Sequence, residues 1–192
     1  MAQLIYFDTS VFLEIGAKNS KHSKNIRELL KELKAEKARI YTSILTVQEV
    51  SVLSYRRGQL ARDDYGKINE FARIMGVTKD IALTAAKREA EIIDNAKASS
   101  GATIDDNRRR KWDCFHIATA QHLGCSALYT TDEKLVKRQK QLGLTDIKIL
   151  PPVPSHPTLD FSGNASAADQ QPQATLSVEG NDAEGKNSKK PN

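Results

Sequence analysis

The sequence predicts a three-layer α/β fold, in which helices flank a mostly parallel central sheet of about five strands. Short apolar runs of strand length alternate along the chain with longer segments whose apolar residues recur at helical spacing. Four of the helical segments are followed by a glycine, which is a common end signal for a helix. Strands that alternate with helices favour parallel pairing, because each helix carries the chain back across the sheet.

The first hundred residues contain three of the predicted strands and five of the predicted helices. The strands are residues 3–7, 39–42 and 77–79. The helices are residues 11–17, 20–37, 44–57, 61–75 and 81–99. Thr9 and Ser10 are candidate N-caps of the first helix, and Ser43 can cap the third. Helical spacing turns Val52 of the third helix and Leu83 of the fifth toward the core.

The remaining chain continues the alternation. Residues 99–103 are predicted to be a loop, and an acidic and then basic segment follows at residues 104–111. Helices are predicted at residues 113–123 and 133–142, and strands at residues 127–129 and 147–150. The four cations at residues 108–111 either hold phosphates or form a solvated end of the next helix, and charge alone does not decide between these roles.

The 192 residues favour one folded domain at residues 1–150 and a tail at residues 151–192. The tail begins with a proline-rich segment and then has few apolar residues and no periodicity, so we expect it to be disordered. The domain has 26 basic and 19 acidic residues, a net charge of +7, whereas the tail has three and five, a net charge of −2. A basic domain is compatible with a polyanionic partner such as nucleic acid.

Composition also excludes some classes of protein. The apolar runs are far shorter than a membrane span, and the N-terminal apolar run has the length of a strand rather than of a signal peptide. Cys114 and Cys125 lie within apolar patterns and lack the spacing of a metal site, so we expect packed thiols in a reducing, cytoplasmic compartment.

Four carboxylates occur in apolar surroundings: Asp8, Glu49, Asp113 and Asp132. Asp8 follows the first strand, and Asp132 follows the strand at 127–129, where ligand-binding residues of an open parallel sheet lie. Glu49 and Asp113 lie in helices, and Leu45 and Leu53 flank Glu49 on its own face. An unpaired carboxylate is costly to bury, so a shared divalent cation is the simplest partner. The alternative for Glu49 is a pair with a nearby arginine at the rim.

Three further polar residues accompany the acids. Ser10 lies two residues after Asp8 and is either a helix cap or part of the site, whereas Thr9 fits a cap better. Thr130 is placed to hold a water molecule or to orient Asp132. His116 lies one turn after Asp113, where a packed, hydrogen-bonded histidine is favoured over a residue that contacts substrate.

The donor set indicates the chemistry. Oxygen ligands without a set of His and Cys favour Mg²⁺ or Mn²⁺ over zinc. Such a metal can generate hydroxide from water and stabilise the leaving oxygen of a phosphodiester. No Ser, Cys or His has an evident catalytic triad, so water is the predicted nucleophile.

These motifs together resemble the PIN-domain family: Phe-Asp-Thr-Ser at 7–10, Glu49, Asp-x-x-His-Ile-Ala-Thr-Ala at 113–120, and Thr-x-Asp at 130–132. Their order and spacing match across nearly all of residues 3–150. The resemblance, which extends to VapC-type toxins of toxin–antitoxin pairs, implies a PIN fold and a Mg²⁺-dependent endoribonuclease that cleaves single-stranded RNA. It also implies a frequent homodimer, held inactive by an antitoxin segment near the acids. The metal ligands would be Asp8, Glu49, Asp113 and Asp132, assisted by Ser10 and Thr130.

Other functions remain open at this stage. One is a catalytically degenerate PIN-like protein that binds RNA or acts as a scaffold; another is a PIN nuclease unconnected to an antitoxin. A phosphatase with an aspartyl nucleophile would need a second acid where Ser10 stands. A structure-specific DNA nuclease shares the metal chemistry, but the chain has no obvious insertion for threading a strand.

Overall fold

A parallel sheet forms the centre of the computed structural model, which describes residues 2–17, 20–97 and 104–155. In these residues the sheet has five strands, in the spatial order β3-β2-β1-β4-β5. They are β1 (Leu4–Phe7), β2 (Arg39–Ser43), β3 (Arg73–Met75), β4 (Ala127–Tyr129) and β5 (Lys148–Leu150). Every pair of neighbouring strands is parallel. The predicted parallel sheet is therefore confirmed.

Helices cover both faces of this sheet. Within the described residues they are α1 (Thr9–Gly16), α2 (Ser23–Ala35), α3 (Ile44–Arg56), α4 (Arg62–Phe71), α5 (Lys79–Lys97), α6 (Ile104–His122) and α7 (Glu133–Gln141). Ile5 and Phe7 of β1 pack in one apolar cluster with residues of α1, α2 and α4. Tyr6, between them, packs on the opposite face with residues of α6 and α7. This alternation confirms the predicted three layers.

The sheet order places the ends of β1 and β4 side by side. The register pairs Phe7 with Tyr129 at the carboxyl ends of these two strands. The backbone N–H of Asp8 donates to the carbonyl oxygen of Tyr129 at 3.0 Å, which fixes the first residue after β1 beside the end of β4. The chain order reverses direction across this pair, and that is the position where open parallel sheets bind ligands.

The region after α3 differs from the prediction. A helix was expected at residues 61–75 and a strand at 77–79, but α4 ends at Phe71 and Arg73–Met75 forms β3. Met75 continues the helical stripe of Ile68 and Phe71 by spacing, yet Ile74 and Met75 pair in parallel with Thr42 and Ser43 at the edge of the sheet. Tertiary pairing thus overrides the local periodicity here.

Two helices begin earlier than predicted. Helix α1 begins at Thr9 instead of residue 11, and the side chain of Asp8, not that of Thr9 or Ser10, caps it by accepting from the backbone N–H of Ser10. Helix α6 begins at Ile104, nine residues before the predicted start at Asp113. The polar segment that precedes Asp113 has no apolar stripe, so periodicity gave no signal for its helical backbone. The predicted cap of α3 is confirmed, because Ser43 Oγ accepts from the backbone N–H of Leu45 at 3.2 Å.

Some predicted core positions are exposed. Val52 of α3 and Leu83 of α5 are 43% and 60% exposed. Helix α3 instead packs through Val47 and Val50, while α5 packs on α6 through a cluster that contains Ile81 and Ala85. Each helix therefore turns a different stripe toward the core than the one chosen from its apolar residues.

The prediction of a disordered tail and that of a loop at 99–103 lie largely outside the described residues. Residues 151–155 are described, and Pro152 and Pro154 are buried there. The backbone N–H of Ser155 donates to Glu32 Oε2 of α2 at 2.9 Å. None of the described helices has the combination of length and apolar character needed to cross a membrane.

Candidate active site

Asp8 is held in place where β1 passes into α1. Asp8 is 6% exposed, and its Oδ2 accepts hydrogen bonds from Ser10 Oγ and Thr130 Oγ1, each at 2.9 Å. Because both donors are hydroxyls from the first turn of α1 and the end of β4, this carboxylate joins the two central strands. Oδ2 is thereby fixed, and Oδ1 is left to face His116 at 3.5 Å.

Thr130 connects Asp8 to Asp132. Thr130 is fully buried, and its Oγ1 accepts from the backbone N–H of Asp132 at 3.0 Å while donating to Asp8. Ser10 Oγ lies 3.1 Å from the same hydroxyl and accepts from the backbone N–H of Thr131 at 2.9 Å. Asp132 in turn accepts from the backbone N–H of Lys134 at 2.8 Å, as an N-cap of α7 does. These contacts fix the loop that carries Asp132.

Glu49 approaches the site from α3. Its side chain is 30% exposed, and its Oε2 accepts a hydrogen bond from Thr9 Oγ1 and lies 3.3 Å from His116 Nε2. Thr9 Oγ1 also lies 3.1 Å from Thr46 Oγ1, a contact that links α1 to α3. Burial raises the pKa of Glu49, but the hydrogen bond from His116, its charge and the hydrogen bond from Thr9 outweigh burial, so the pKa is lowered overall.

His116 lies at the base of the site and is only 2% exposed. Its Nδ1 is 2.7 Å from the hydroxyl of Tyr6, and its Nε2 faces Glu49 and Asp8. Burial lowers the pKa of His116, but the neighbouring carboxylates of Asp8, Glu49 and Asp113 raise it above its ordinary value. The packed, hydrogen-bonded alternative for this histidine is therefore the observed one, and the groups that it contacts are two of the candidate acids.

All four predicted carboxylates line one cavity of about 240 Å³. Its lining consists of Asp8, Thr9, Ser10, Leu13, Glu49, Trp112, Asp113, His116 and Asp132. Asp113 contributes from the middle of α6, one turn before His116, and not from the first turn of a helix. Thr130, the remaining predicted residue, is not part of this lining and donates to Asp8.

The donor chemistry of this cavity fits a hard divalent cation, because four carboxylates line it and no cysteine does. The side-chain positions do not form a finished coordination sphere. Within the described part of the chain, no group of three or more His, Cys, Asp or Glu side chains is arranged to hold a metal ion. Glu49 is turned toward His116 and Thr9, and like charges keep carboxylates apart when no cation joins them. Cation binding would therefore draw these side chains together.

Several residues of the site were not predicted. Tyr6 and Thr46 act through contacts with His116 and Thr9, and Trp112 and Leu13 line the cavity. A threonine or tyrosine in an apolar run gives no signal of such contacts, since they join residues that are 37 to 110 positions apart. Trp112 was adjacent to a predicted acid, and its position next to Asp113 was the one available signal.

Comparisons with known proteins agree with this architecture. A family model described as PIN domain matches residues 5–141. The comparison with curated proteins gave no match.

Three solved structures are similar to this chain, and each alignment covers 78% of this chain and 98% of the other. VapBC-1 from nontypeable Haemophilus influenzae has a TM-score of 0.53 at 15% identity. VapBC2 from Rickettsia felis, bound to a DNA fragment from the VapBC2 promoter, has a TM-score of 0.51 at 14% identity. A toxin-antitoxin complex from Klebsiella pneumoniae has a TM-score of 0.49 at 19% identity. At these identities the likeness to the first two concerns the fold alone.

Proposed function

The chain belongs to the PIN domain family, and from this premise we propose that it is a divalent-metal-dependent endoribonuclease that cleaves single-stranded RNA as the toxin of a toxin–antitoxin pair. One observation carries the proposal: Asp8, Glu49, Asp113 and Asp132 come from four separate parts of the chain and line one cavity at the carboxyl ends of β1 and β4. Four acids that converge on one polar cavity repel one another at a cost in stability, and His116 lies against only Asp8 and Glu49, so a bound cation is the partner that would serve all four.

The same four carboxylates would hold Mg²⁺ or Mn²⁺. When bound, such an ion lowers the pKa of water and stabilises negative charge on phosphodiester oxygens. The reaction consumes one water, forms one P–O bond and breaks another, and leaves one phosphate end and one hydroxyl end. Water is the nucleophile in this proposal, since the one histidine in the cavity is engaged by Tyr6 and two acids rather than by a Ser or Cys nucleophile.

The chain's own residues organise the acids. Ser10 and Thr130 donate to the same oxygen of Asp8, which leaves the other oxygen facing His116 Nε2 at 3.5 Å. Thr130 also holds the backbone of Asp132. Ser10 and Thr130 are therefore positioning residues in this account: they fix carboxylates and do not themselves react.

The charge of the chain favours a polyanionic substrate. Residues 1–150 carry a net charge of +7 although they collect four acids at one site. A polyanion is attracted to such a surface, and a divalent cation is then needed where its phosphate meets the acids. The preference for RNA and for single strands rests on the resemblance to VapC-type toxins.

An antitoxin is the proposed protein partner, and an apolar groove offers a place for it. The groove, of about 390 Å³, lies between α1, α3 and α4 and includes Phe12, Leu53, Ile68 and Phe71. Leu13 lines both this groove and the acidic cavity. An amphipathic segment of the antitoxin bound along the groove would thus lead directly to the acids and block them. The VapBC names of the two structures that share the fold support this assignment.

We also propose a homodimer. Tyr55 of α3 and Tyr65 of α4 are 68% and 49% exposed, and aromatic residues are enriched at protein interfaces. Sedimentation of the purified chain decides this point independently of catalysis.

The test is cleavage of a 5′-labelled single-stranded RNA with Mg²⁺, with Mn²⁺ and with EDTA. We expect cleavage only with metal, and a loss of at least about 100-fold in Asp8→Asn and Asp113→Asn. Asp80→Asn is the matched control, because Asp80 is exposed in the first turn of α5 and does not line the cavity. Cleavage that persists in both site variants would show that the acids are not the catalytic site. Binding of RNA without any metal-dependent cleavage would favour the second candidate, a catalytically degenerate RNA-binding protein.

A further inference from the structure

Trp112 is a large apolar side chain at the edge of an acidic cavity. It directly precedes Asp113 in α6, lines the cavity and is half-buried. The three apolar clusters found among the described residues do not include it. The indole thus lies outside the core, is only partly exposed and faces a cavity lined by carboxylates. A side chain in this setting can bind a partner that has a flat apolar face.

The ring is supported from one side. Trp112 and Phe115 lie one turn apart on α6, with ring centroids 6.2 Å apart and planes inclined at 39°. Phe115 in turn packs against the cluster formed by α5 and α6. The indole therefore rests on an anchored aromatic ring, which limits the rotamers it can adopt before anything binds.

We infer that Trp112 is a specificity-determining residue that stacks on an unpaired base of the RNA next to the cleaved phosphate; this inference rests on the proposed ribonuclease function. Without a cation, the carboxylates of the cavity repel phosphate, whereas the face of an indole attracts a base of any identity. A base can reach this face only when it is free of a duplex, so the stack selects single-stranded over double-stranded RNA. No feature of the four acids makes that distinction.

Trp112 is the single tryptophan of the chain, so its fluorescence reports the contact directly. In saturating Mg²⁺, we expect a single-stranded oligoribonucleotide to quench the emission of Asp8→Asn, a variant that should not cleave it, and the same sequence in a duplex to leave the emission unchanged. Anisotropy of the labelled strand measures the extent of binding in parallel. Single-stranded RNA that binds to Asp8→Asn without altering the emission would overturn the inference.

Kinetics with Mg²⁺ provide the second measurement. Trp112→Leu should raise KM for single-stranded RNA by roughly 5- to 150-fold, the range for loss of one stacked base, with kcat changed only a few-fold. Trp112→Phe should keep most of the affinity. Leu83→Ala is the matched control, because Leu83 is an exposed apolar residue of α5 that lines neither the cavity nor the apolar groove.

The outcomes separate the two claims. Cleavage with an unchanged KM in Trp112→Leu would overturn the role of the ring and leave the ribonuclease proposal intact. A Trp112→Leu chain that cleaves RNA normally but no longer binds an antitoxin would place the ring at a protein interface instead, and would also overturn the inference. Wild-type protein that is folded but neither binds nor cleaves RNA would overturn both. If Trp112→Leu does not fold, fluorescence quenching of Asp8→Asn, which keeps Trp112, and the KM of Trp112→Phe decide the matter.

Discussion

At the scale of single residues, His116 offsets the repulsion between the acids. Its Nε2 lies 3.3 Å from Glu49 and 3.5 Å from Asp8, and its pKa is raised by both carboxylates against the effect of burial. Tyr6 holds the opposite nitrogen at 2.7 Å, and burial together with the nearby Asp8 keeps the pKa of the Tyr6 hydroxyl well above its ordinary value, so that it stays neutral. The histidine thereby provides a partner for two acids that line the same cavity.

Thr130 provides a test of how the acids are positioned. In Thr130→Val, Asp8 loses one of its two hydroxyl donors and the backbone N–H of Asp132 loses its acceptor. We expect the free energy of unfolding to fall by about 1–3 kcal/mol, because these groups remain buried, and RNA cleavage to fall by at least about 10-fold. Urea unfolding and the cleavage rate measure the two effects. Thr130→Ser keeps the hydroxyl and should retain most of both; an equal loss in the two variants would refute the hydrogen-bonding role.

Cys125 gives a pH-dependent prediction away from the site. Burial raises the pKa of its thiol to about 12, compared with about 8.5 for a free cysteine. Because the pKa is higher in the folded state than in the unfolded state, the contribution of this thiol to the free energy of unfolding is fully present below about pH 8.5. That contribution is lost as the pH rises from there through the pKa of the folded state. At pH 8.5 we expect Cys125 in the native chain to react with iodoacetamide at least about 1,000-fold more slowly than in urea. Peptide mass spectrometry follows the reaction, and equal rates in the two states would contradict the burial of this thiol.

At the scale of secondary-structure elements, two glycines have opposite roles. Gly124, which follows α6 and precedes β4, has a φ of +66°. Only glycine adopts this left-handed conformation at little cost, so it turns the chain out of the helix and toward the centre of the sheet. Gly66 lies exposed inside α4, where a Cβ would meet no atom within 4 Å.

The same substitution should therefore have opposite effects at the two positions. Gly124→Ala should lower the free energy of unfolding by roughly 1–2 kcal/mol, because an L-residue is strained at this φ. Gly66→Ala should raise it by roughly 0.5–1 kcal/mol, because alanine favours the helix. Urea denaturation of both variants checks the pair. A loss of stability in Gly66→Ala, or none in Gly124→Ala, would show that the backbone at that position is not as described.

The elements that the sequence predicts best are those whose local signals agree with their tertiary setting. Strand β1 is a compact apolar run, and α3 has both a serine cap and a terminating glycine. Strand β3 was missed because Met75 continues a helical stripe and the segment becomes a strand only by pairing with β2. The first turns of α6 were missed because they have no apolar periodicity. In the site, the four acids were recognisable from their apolar surroundings, whereas the roles of Tyr6 and Thr9 depend on contacts between distant parts of the chain.

At the scale of the whole molecule, the order of the strands gathers the site. Because β1 and β4 are neighbours, Asp8 and the loop with Asp132 meet at one edge of the sheet, although they are more than 120 residues apart. Helices on both faces complete the cavity: α3 contributes Glu49 from one layer and α6 contributes Asp113 from the other. Residues from all three layers therefore line the cavity, and no single sequence motif could form it.

The central claim is that these four acids form one site for a divalent cation. Titration of the metal-free chain with Mn²⁺, followed by electron paramagnetic resonance of the unbound ion, tests this claim without any assumption about the substrate. We expect saturable binding that is at least about 10-fold weaker in Asp8→Asn, Glu49→Gln, Asp113→Asn and Asp132→Asn, and unchanged in Asp80→Asn. Binding that is equal in the wild-type chain and in all four site variants would contradict the account.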